Sequence, residues 1–205
     1  MLAAPFYDPL KSYEDNYTEG PFSGFTDDTT VAPPQEARFN FLGIRINYPL
    51  GIPAGPLLNS KFVSAAFRKG FDVPVYKTVR SGEFPCHPFP NVLSVQVDGN
   101  LTLEKAKQPL VADATYREPL SITNSFGVPS RPADVWQADA TKAIESAGKG
   151  QVMVMSFMGT VREGQTPDEF VADFAKAAEL SKATGAQVFE INLSCPNIGN
   201  EGLVC

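Results

Sequence analysis

The chain has 205 residues, of which 43% are hydrophobic and 20% are charged, and its formal net charge is −6. This composition predicts a folded chain of one domain or slightly more and excludes disorder along its length. The acidic balance argues against a general nucleic-acid-binding surface, which needs a basic patch.

Localisation signals are also missing from the sequence. No apolar run approaches the roughly 18–20 residues that a membrane span needs, and the opening stretch MLAAPFYDPLKSYEDNY lacks the basic region and apolar core of a secretory signal. The three cysteines form no paired framework, which is typical of a reducing compartment. The expected location is therefore the cytoplasm.

The chain divides into an arm and a domain. Residues 1–37 are rich in Pro, Gly, Asp and Thr, a composition that predicts an irregular arm on the surface rather than a core element. The domain is predicted over residues 38–205. It opens with two short strand-like runs around Gly43, which predict a hairpin, and an apolar run then ends at Ala54 and Gly55.

The rest of the domain predicts strands alternating with helices. The predicted strands cover 50–55, 73–79, 151–157 and 186–194. The predicted helices cover 59–70, 132–147 and 166–185. The last helix begins with a capping box made by Thr166 and Glu169. Between the second strand and the second helix, residues 80–131 form a long proline-rich connection, in which PLSIT is strand-like, and loops of this length are usually functional.

Nearly continuous apolar strands joined by helices predict a parallel sheet with the four strands adjacent in chain order. In such folds ligands bind at the carboxyl ends of the strands. The residues at those ends are small (Ala54, Gly55, Gly159), charged (Lys77), or carry hydroxyl, amide, thioether or thiol groups (Thr78, Ser156, Met158, Asn192, Ser194, Cys195, Asn197), and the long connection adds Asn124 and Gly127. This set suits a ring-shaped cofactor stacked on a planar polar substrate, with a thiol as acid or base.

The stretch INLSCPN, from Ile191 to Asn197, resembles the strand-and-loop signature of the dihydroorotate dehydrogenase family. PLGIPAG, YKTV and TNSFGVP stand, in this order, where that family has its first-strand Ala-Gly, its flavin-contacting lysine and its substrate loop. The resemblance runs from about Phe39 to the C-terminus. It implies an FMN-dependent α/β fold of the (β/α)8 TIM-barrel type, of which this chain covers roughly the first four βα units. The implied activity is oxidation of dihydroorotate to orotate in pyrimidine biosynthesis.

The resemblance also implies roles for individual residues. The implied FMN-binding residues are Ala54, Gly55, Lys77, Thr78, Asn124 and Asn192. The implied substrate-binding residues are Lys77, Asn124, Ser125, Phe126, Gly127, Asn192 and Asn197. Cys195 stands where class 1 members keep the catalytic base, whereas class 2 members carry serine there. It would remove a proton from the substrate ring, which requires the site to favour the thiolate over a thiol of ordinary pKa ~8.5.

The chain departs from the family in its length. It stops at Cys205, soon after the fourth predicted strand, so the sequence predicts half of a barrel: a fragment, a truncated product, or a half-barrel that pairs with a second half or another copy. In the family the second half supplies the glycine-rich loops that hold the FMN phosphate, in keeping with the usual position of phosphate sites in barrels.

Two alternatives stay open beside the dihydroorotate reading. One is a flavin enzyme of the dihydropyrimidine dehydrogenase type, whose substrate lacks the carboxylate that TNSFGVP would bind. The other is a non-catalytic half-barrel that associates through its strand edges. No metal is predicted, because Cys86 and the only histidine, His87, do not complete a four-ligand zinc set. The sequence does not identify the electron acceptor or the oligomeric state.

Overall fold

The structure is a computed structural model, and it describes residues 4–193. In chain order its elements are α1 (Tyr13–Glu19), a 3-10 turn (Ser23–Phe25), β1 (Phe39–Phe41), β2 (Ile44–Ile46), α2 (Ser60–Arg68), β3 (Val75–Val79), β4 (Val92–Val95), α3 (Leu103–Ala106), β5 (Ala112–Asp113), β6 (Ile122–Asn124), α4 (Ala133–Glu145), β7 (Val154–Phe157), α5 (Pro167–Lys182) and β8 (Val188–Ile191).

The central sheet is parallel and has the strand order β3–β7–β8. The predicted alternation of strands and helices is confirmed here, and three of the four predicted strands are neighbours in chain order. The capping box of α5 is also confirmed: the Thr166 hydroxyl accepts a hydrogen bond from the Glu169 N–H, and the Glu169 carboxylate accepts one from the Thr166 N–H. The hairpin predicted around Gly43 is formed by β1 and β2.

The prediction of a sheet strand at 50–55 is wrong, because the central sheet consists of β3, β7 and β8 only among the described residues. The carbonyls of Leu50 and Ile52 accept hydrogen bonds from the N–H groups of Val73 and Val75, at 3.1 and 2.9 Å, so this segment runs beside β3. Proline lacks an N–H group and cannot donate to a neighbouring strand. Because residues 49, 53 and 56 are prolines, the segment supports β3 mainly as an acceptor.

The prediction of an irregular surface arm over residues 1–37 is wrong for α1. Ser12 and Asp15 make a second capping box at its start. Tyr13 belongs to the main hydrophobic core at 6% exposure. Asn16 is fully buried, and its side-chain N–H groups donate to backbone carbonyls of the arm. The aromatic side chains of the arm, such as Phe6 against the ring of Phe62, give it apolar surface to bury.

The connection 80–131 carries a small antiparallel sheet of its own, in the order β5–β4–β6. The strand-like stretch PLSIT overlaps β6, whereas β4, β5 and α3 were not predicted. These elements have four residues or fewer, so they show no long run of alternating or helical hydrophobic periodicity.

Two apolar clusters cover the two faces of the central sheet. The larger one packs the sheet against α2, α4 and α5 and includes Phe62, Tyr76 and Trp136. The smaller one includes Ile46 of β2 together with Val75, Val152, Val154 and Val188. The hairpin β1–β2 therefore covers the amino-terminal end of the second face, and the carboxyl end of that face carries the polar residues described next.

Hydrogen bonds tie the helices to the sheet. Asp139 of α4 accepts from the backbone N–H and hydroxyl of Ser60, at 2.7 and 2.6 Å, and from the hydroxyl of Tyr76 at 2.8 Å. Burial and the nearby Asp139 carboxylate raise the pKa of Tyr76 well above its usual value, so its hydroxyl stays a donor. Among residues 4–193, no helix has the length and apolar character of a membrane span.

Candidate functional site

A β-bulge in β3 determines where Lys77 and Thr78 point. The pairing with β7 holds at Tyr76 opposite Met155 and resumes at Val79 opposite Phe157, so Lys77 and Thr78 together oppose Ser156. Both Tyr76 and Val79 lie in the helix-facing core, although residues three apart on a regular strand point to opposite faces. The extra residue of the bulge is the reason, and bulges of this kind often occur next to active sites.

The bulge brings Thr78 into a line of polar side chains. The Thr78 hydroxyl lies 2.9 Å from that of Ser156, and the Ser156 hydroxyl lies 2.7 Å from the Glu190 carboxylate. The side-chain amide of Asn192 reaches Thr78 at 3.4 Å. Thr78 and Ser156 are almost fully buried, at 2% and 0% exposure. The line crosses all three strands of the central sheet near their carboxyl ends.

The position of Asn192 is fixed by the backbone as well. Its N–H donates to the carbonyl of Phe157 at 3.0 Å, which extends the pairing of β8 with β7 by one residue beyond Ile191. Lys77 lies in the same region at 6% exposure. Its N–H donates to the carbonyl of Leu57 at 3.1 Å, which links the sheet to the segment that follows Ala54 and Gly55.

The predicted substrate loop is held against the segment that follows β3. The Ser125 hydroxyl lies 2.9 Å from His87 Nδ1, and the carbonyl of Phe126 accepts from the His87 N–H at 3.0 Å. Gly127 has φ +73, and a Cβ there would lie 2.4 Å from His87 Nε2. The left-handed backbone therefore favours glycine, and a Cβ at this position would force the imidazole ring to shift.

The buried side chain of Arg80 holds the same loop through hydrogen bonds. Its side chain is 1% exposed and donates to the carbonyls of Gly127 and Val128, at 3.1 and 2.9 Å, and to that of Gly159 at 3.2 Å. The guanidinium also lies 4.0 Å from the ring centre of Phe84. One buried cation thus holds the substrate loop to the end of β7, which fixes the backbone of the loop in place.

A cavity of about 670 Å³ lies between the arm, the small antiparallel sheet and the end of the 50–56 segment. Four of the residues predicted to bind cofactor or substrate line it: Ala54, Gly55, Asn124 and Phe126. Gly55 has φ +139, and a Cβ built there would meet no atom within 4 Å. The backbone at Gly55 is therefore open to a flat molecule in the cavity. Most of the remaining wall is apolar and includes Phe6, Leu10, Val92 and Ile122.

The predicted site residues fall into two groups. Thr78 and Asn192 are in contact at the ends of the sheet strands, with Lys77 beside Thr78 on the bulge. Ala54, Gly55, Asn124 and Phe126 line the cavity, and Ser125 and Gly127 continue that wall into the loop held by His87. Cys195 and Asn197 lie outside the described residues, so their predicted roles stay predictions.

Three functional candidates were not predicted from sequence: Arg80, His87 and Glu190. A signal for Glu190 was available, because it lies two residues before Asn192 and alternation places both side chains on one face of a strand. The sequence draws attention to His87 only as a possible metal ligand beside Cys86. Among residues 4–193, no group of three or more His, Cys, Asp or Glu side chains could hold a metal ion. Arg80 has no sequence signal, since a basic residue at a strand end is ordinarily solvated.

Cys86 is the one free thiol within the described part of the chain. It is half-buried, and burial raises its pKa to about 11, although the nearby charge of Lys77 opposes this effect. The Cys86 thiol is therefore protonated at neutral pH and does not act as a base. Since it packs against the hydrophobic core, its role is structural.

No family model matches the chain. A curated protein named dihydroorotate dehydrogenase, from Dictyostelium discoideum, is 38% identical to the chain over 202 residues, which cover 95% of this chain. The chain fits part of a dihydroorotate dehydrogenase. The resemblance found in the sequence is thereby confirmed. The chain spans 54%, about half, of the length of this curated relative.

A solved structure has a fold similar to that of this chain. The crystal structure of DHODH in complex with ferulenol, from Eimeria tenella, matches with a TM-score of 0.53. The two are 19% identical, and the match covers 80% of this chain and 38% of the other. At this identity the likeness shows the fold alone. It agrees with the parallel α/β arrangement of the central sheet.

Proposed function

We propose that this chain supplies the N-terminal half of a (β/α)8 barrel that uses FMN to oxidise dihydroorotate to orotate. The observation that carries the proposal is the 38% identity to the Dictyostelium dihydroorotate dehydrogenase across 95% of the chain. The structure adds a reason of its own, since Lys77, Thr78 and Asn192 lie at the carboxyl ends of parallel strands, where α/β enzymes bind their ligands.

The residues present fit a flavin. The cavity of about 670 Å³ is within the usual size range of cofactor sites. The open backbone at Gly55 leaves room for a flat ring in the cavity. Thr78 and Asn192 do not line this cavity, and they would approach the flavin from the ends of the sheet strands, with the Asn192 amide toward its polar edge. Ala54, Gly55, Lys77, Thr78, Asn124 and Asn192 would hold it. When bound, FMN supplies the acceptor for the hydride that leaves the substrate ring.

The backbone N–H groups of Phe126 and Gly127 would bind the substrate carboxylate, whereas the N–H of Ser125 donates to the carbonyl of Asn91 at 2.8 Å and helps to hold the loop. Arg80 and His87 hold this loop in a fixed shape. A loop that is rigid before the substrate binds loses less conformational entropy on binding. A rigid carboxylate site favours dihydroorotate over a dihydropyrimidine that lacks the carboxylate.

Cys195 is the proposed base, and Asn197 a proposed contact to the pyrimidine ring. The Cys195 thiolate would take a proton from the ring carbon next to the one that loses the hydride, which leaves a carbon–carbon double bond in orotate. The cationic side chain of Lys77 belongs to the same proposed site, and a nearby positive charge favours the thiolate form of a cysteine.

Flavin and substrate binding test this proposal directly. The purified chain is titrated with FMN, whose fluorescence reports binding, and dihydroorotate is then added without oxygen while absorbance at the flavin band is followed. Lys77→Gln should weaken FMN binding, because it removes the buried cation, whereas Lys176→Gln, on the exposed side of α5, should leave it unchanged. A chain that binds neither FMN nor orotate would contradict the proposal.

A further inference from the structure

Each hydrogen bond along the line of polar side chains from Glu190 to Asn192 has a determined donor and acceptor. At neutral pH a glutamate carboxylate has only acceptor atoms, whereas a serine or threonine hydroxyl has one hydrogen to donate. The Ser156 hydroxyl, 2.7 Å from Glu190 Oε1, therefore donates to the carboxylate. Its single hydrogen is then used, so at the 2.9 Å contact between Thr78 and Ser156 the donor is Thr78.

The same reasoning fixes the last step. Since the Thr78 hydroxyl has given its hydrogen to Ser156, it can only accept from Asn192. The group that reaches it at 3.4 Å must then be the NH2 end of the amide, Nδ2, as the structure has it. The opposite end, Oδ1, is an acceptor. The charge of Glu190 thus orients the Asn192 amide through two buried hydroxyls, without touching it.

We propose that Glu190 is a positioning residue: it orients the side-chain amide of Asn192 so that Oδ1 accepts a hydrogen bond from a ring N–H of the ligand. An amide oxygen has two lone pairs, so Oδ1 of the fixed amide can accept a hydrogen bond from a ligand donor in addition to any bond within the protein, whereas it repels a carbonyl oxygen. The matching group is an imide N–H, a nitrogen between two carbonyls, which the flavin ring and the dihydroorotate ring both carry. This inference rests on the proposed function, since it specifies which atoms of the proposed ligands Asn192 meets.

Two variants test the chain of hydrogen bonds. Glu190→Gln has nearly the same shape but can donate as well as accept, so it allows the direction of the whole line to reverse. Glu179→Gln makes the same substitution on the exposed surface of α5 and serves as the control for the lost charge. Because Glu190 is only half-buried and glutamine is isosteric, the variant is expected to fold.

The first measurement needs no ligand. The side-chain NH2 signals of Asn192 are identified in a ¹⁵N–¹H NMR spectrum by their loss in Asn192→Asp. In Glu190→Gln these signals should shift and their hydrogens should exchange faster with water, since the hydrogen bond to Thr78 is no longer enforced. In Glu179→Gln they should stay as in the wild type. Unchanged signals in Glu190→Gln would overturn the inference whatever the chain binds.

The second measurement identifies the ligand. Dissociation constants are measured for FMN against N3-methyl-FMN, and for orotate against N3-methylorotate. In the wild type, methylation of the ring read by Asn192 should weaken binding about tenfold, as expected for one lost hydrogen bond. In Glu190→Gln that ratio should fall to about threefold or less, because the amide can turn its NH2 end to the ligand.

The outcomes separate the inference from the proposed function. If N3-methylation weakens the binding of only FMN or only orotate, the affected ligand is the one whose ring Asn192 contacts, and the inference is supported. Equal binding of methylated and unmethylated ligands in the wild type overturns the inference but leaves the proposed function standing. A wild-type chain that binds neither FMN nor orotate contradicts the proposed function and the imide assignment together, while the spectrum still decides whether Glu190 orients Asn192.

Discussion

At the scale of single residues, the environment of each thiol decides its chemistry. Burial holds the pKa of Cys86 at about 11, which keeps it protonated and unreactive at neutral pH. The role proposed for Cys195 requires the opposite, a thiolate populated at neutral pH. The two cysteines therefore provide matched variants, because one substitution removes the proposed base and the other removes a thiol of similar size that packs against the core.

Cys195→Ala should slow the reduction of bound flavin by dihydroorotate about 10²–10⁴-fold, the usual cost of losing a general base. Re-oxidation of the reduced flavin should stay near normal, because that half-reaction breaks no ring C–H bond. Stopped-flow absorbance separates the two half-reactions. Cys86→Ala should leave both rates near those of the wild type, and an unchanged reductive rate in Cys195→Ala would remove Cys195 from the mechanism.

Two glycines with the same backbone angle allow a second residue-scale prediction. Gly127 and Gly164 both have φ +73, but only at Gly127 would a Cβ collide with another group, the His87 ring at 2.4 Å. Gly164→Ala should cost about 1 kcal/mol of unfolding free energy from backbone strain alone. Gly127→Ala should cost about 1–3 kcal/mol and weaken orotate binding as well.

Urea unfolding and orotate titration measure both effects. His87→Ala combined with Gly127→Ala should recover the part of the cost that exceeds Gly164→Ala, because the collision is gone. If Gly127→Ala and Gly164→Ala lower the unfolding free energy equally, the contact with His87 does not determine the conformation of the substrate loop.

At this scale the sequence predicts residue types better than partners. The order of YKTV, TNSFGVP and INLSCPN along the chain is enough to predict Lys77 and Asn192 as ligand-binding residues. It does not show that β3 carries a bulge, which turns Thr78 toward Ser156. Nor does it show that Arg80 is buried under the substrate loop, because the carbonyls that hold it there are two in that loop and one, that of Gly159, beyond β7.

At the scale of elements, Asp173 joins α5 to the segments that follow β3 and β7. Its carboxylate accepts from the Ser81 hydroxyl at 2.5 Å, from the Thr160 N–H at 2.7 Å and from the Arg162 guanidinium at 3.2 Å. Burial alone raises the pKa of the Asp173 carboxyl, but the hydrogen bonds from Ser81 and Thr160 and the charge of Arg162 outweigh it, so the pKa lies below its usual value.

This pKa predicts how stability depends on pH. A carboxyl with a lowered folded-state pKa stabilises the fold above its unfolded pKa of about 3.9, and the contribution is lost as the pH falls through the folded value. Asp173→Asn should therefore lower the unfolding free energy by about 1–3 kcal/mol at pH 7, and the difference from wild type should shrink below about pH 4. Urea unfolding from pH 7 to pH 3 measures it.

Asp168→Asn is the control, since it removes an exposed carboxylate from the first turn of the same helix. Its unfolding free energy should follow that of the wild type closely across this range. A constant difference between Asp173→Asn and wild type at every pH would mean that shape, and not charge, gives Asp173 its effect.

Length decides which elements the sequence predicts. The helices α2, α4 and α5 have 9, 13 and 16 residues, enough turns for a hydrophobic stripe to show. The β4 and β5 strands have four and two residues and form only because β4 pairs with β5 on one side and with β6 on the other. The 50–56 segment has strand-like hydrophobicity, but its prolines prevent a full ladder, so tertiary pairing overrides the local pattern.

At the scale of the whole molecule, the central sheet is protected unequally at its two edges. The 50–56 segment lies along β3 and accepts its hydrogen bonds. Within residues 4–193, no strand pairs with the outer edge of β8. Apolar side chains are exposed along and near this edge, with Phe189 at 40%, Ile191 at 56% and Leu193 at 73%. Exposed apolar strand edges pair readily with other chains.

We therefore expect the isolated chain to self-associate through β8 as its concentration rises. Ile191→Lys should weaken the association, because a charged side chain on an edge strand opposes pairing and the burial of that surface. Leu103→Lys is the control, since Leu103 is 81% exposed on α3, away from the central sheet. Sedimentation velocity over a range of concentrations measures the association. A wild-type chain that stays monomeric, or an equal effect of both lysine variants, would show that the β8 edge does not drive association.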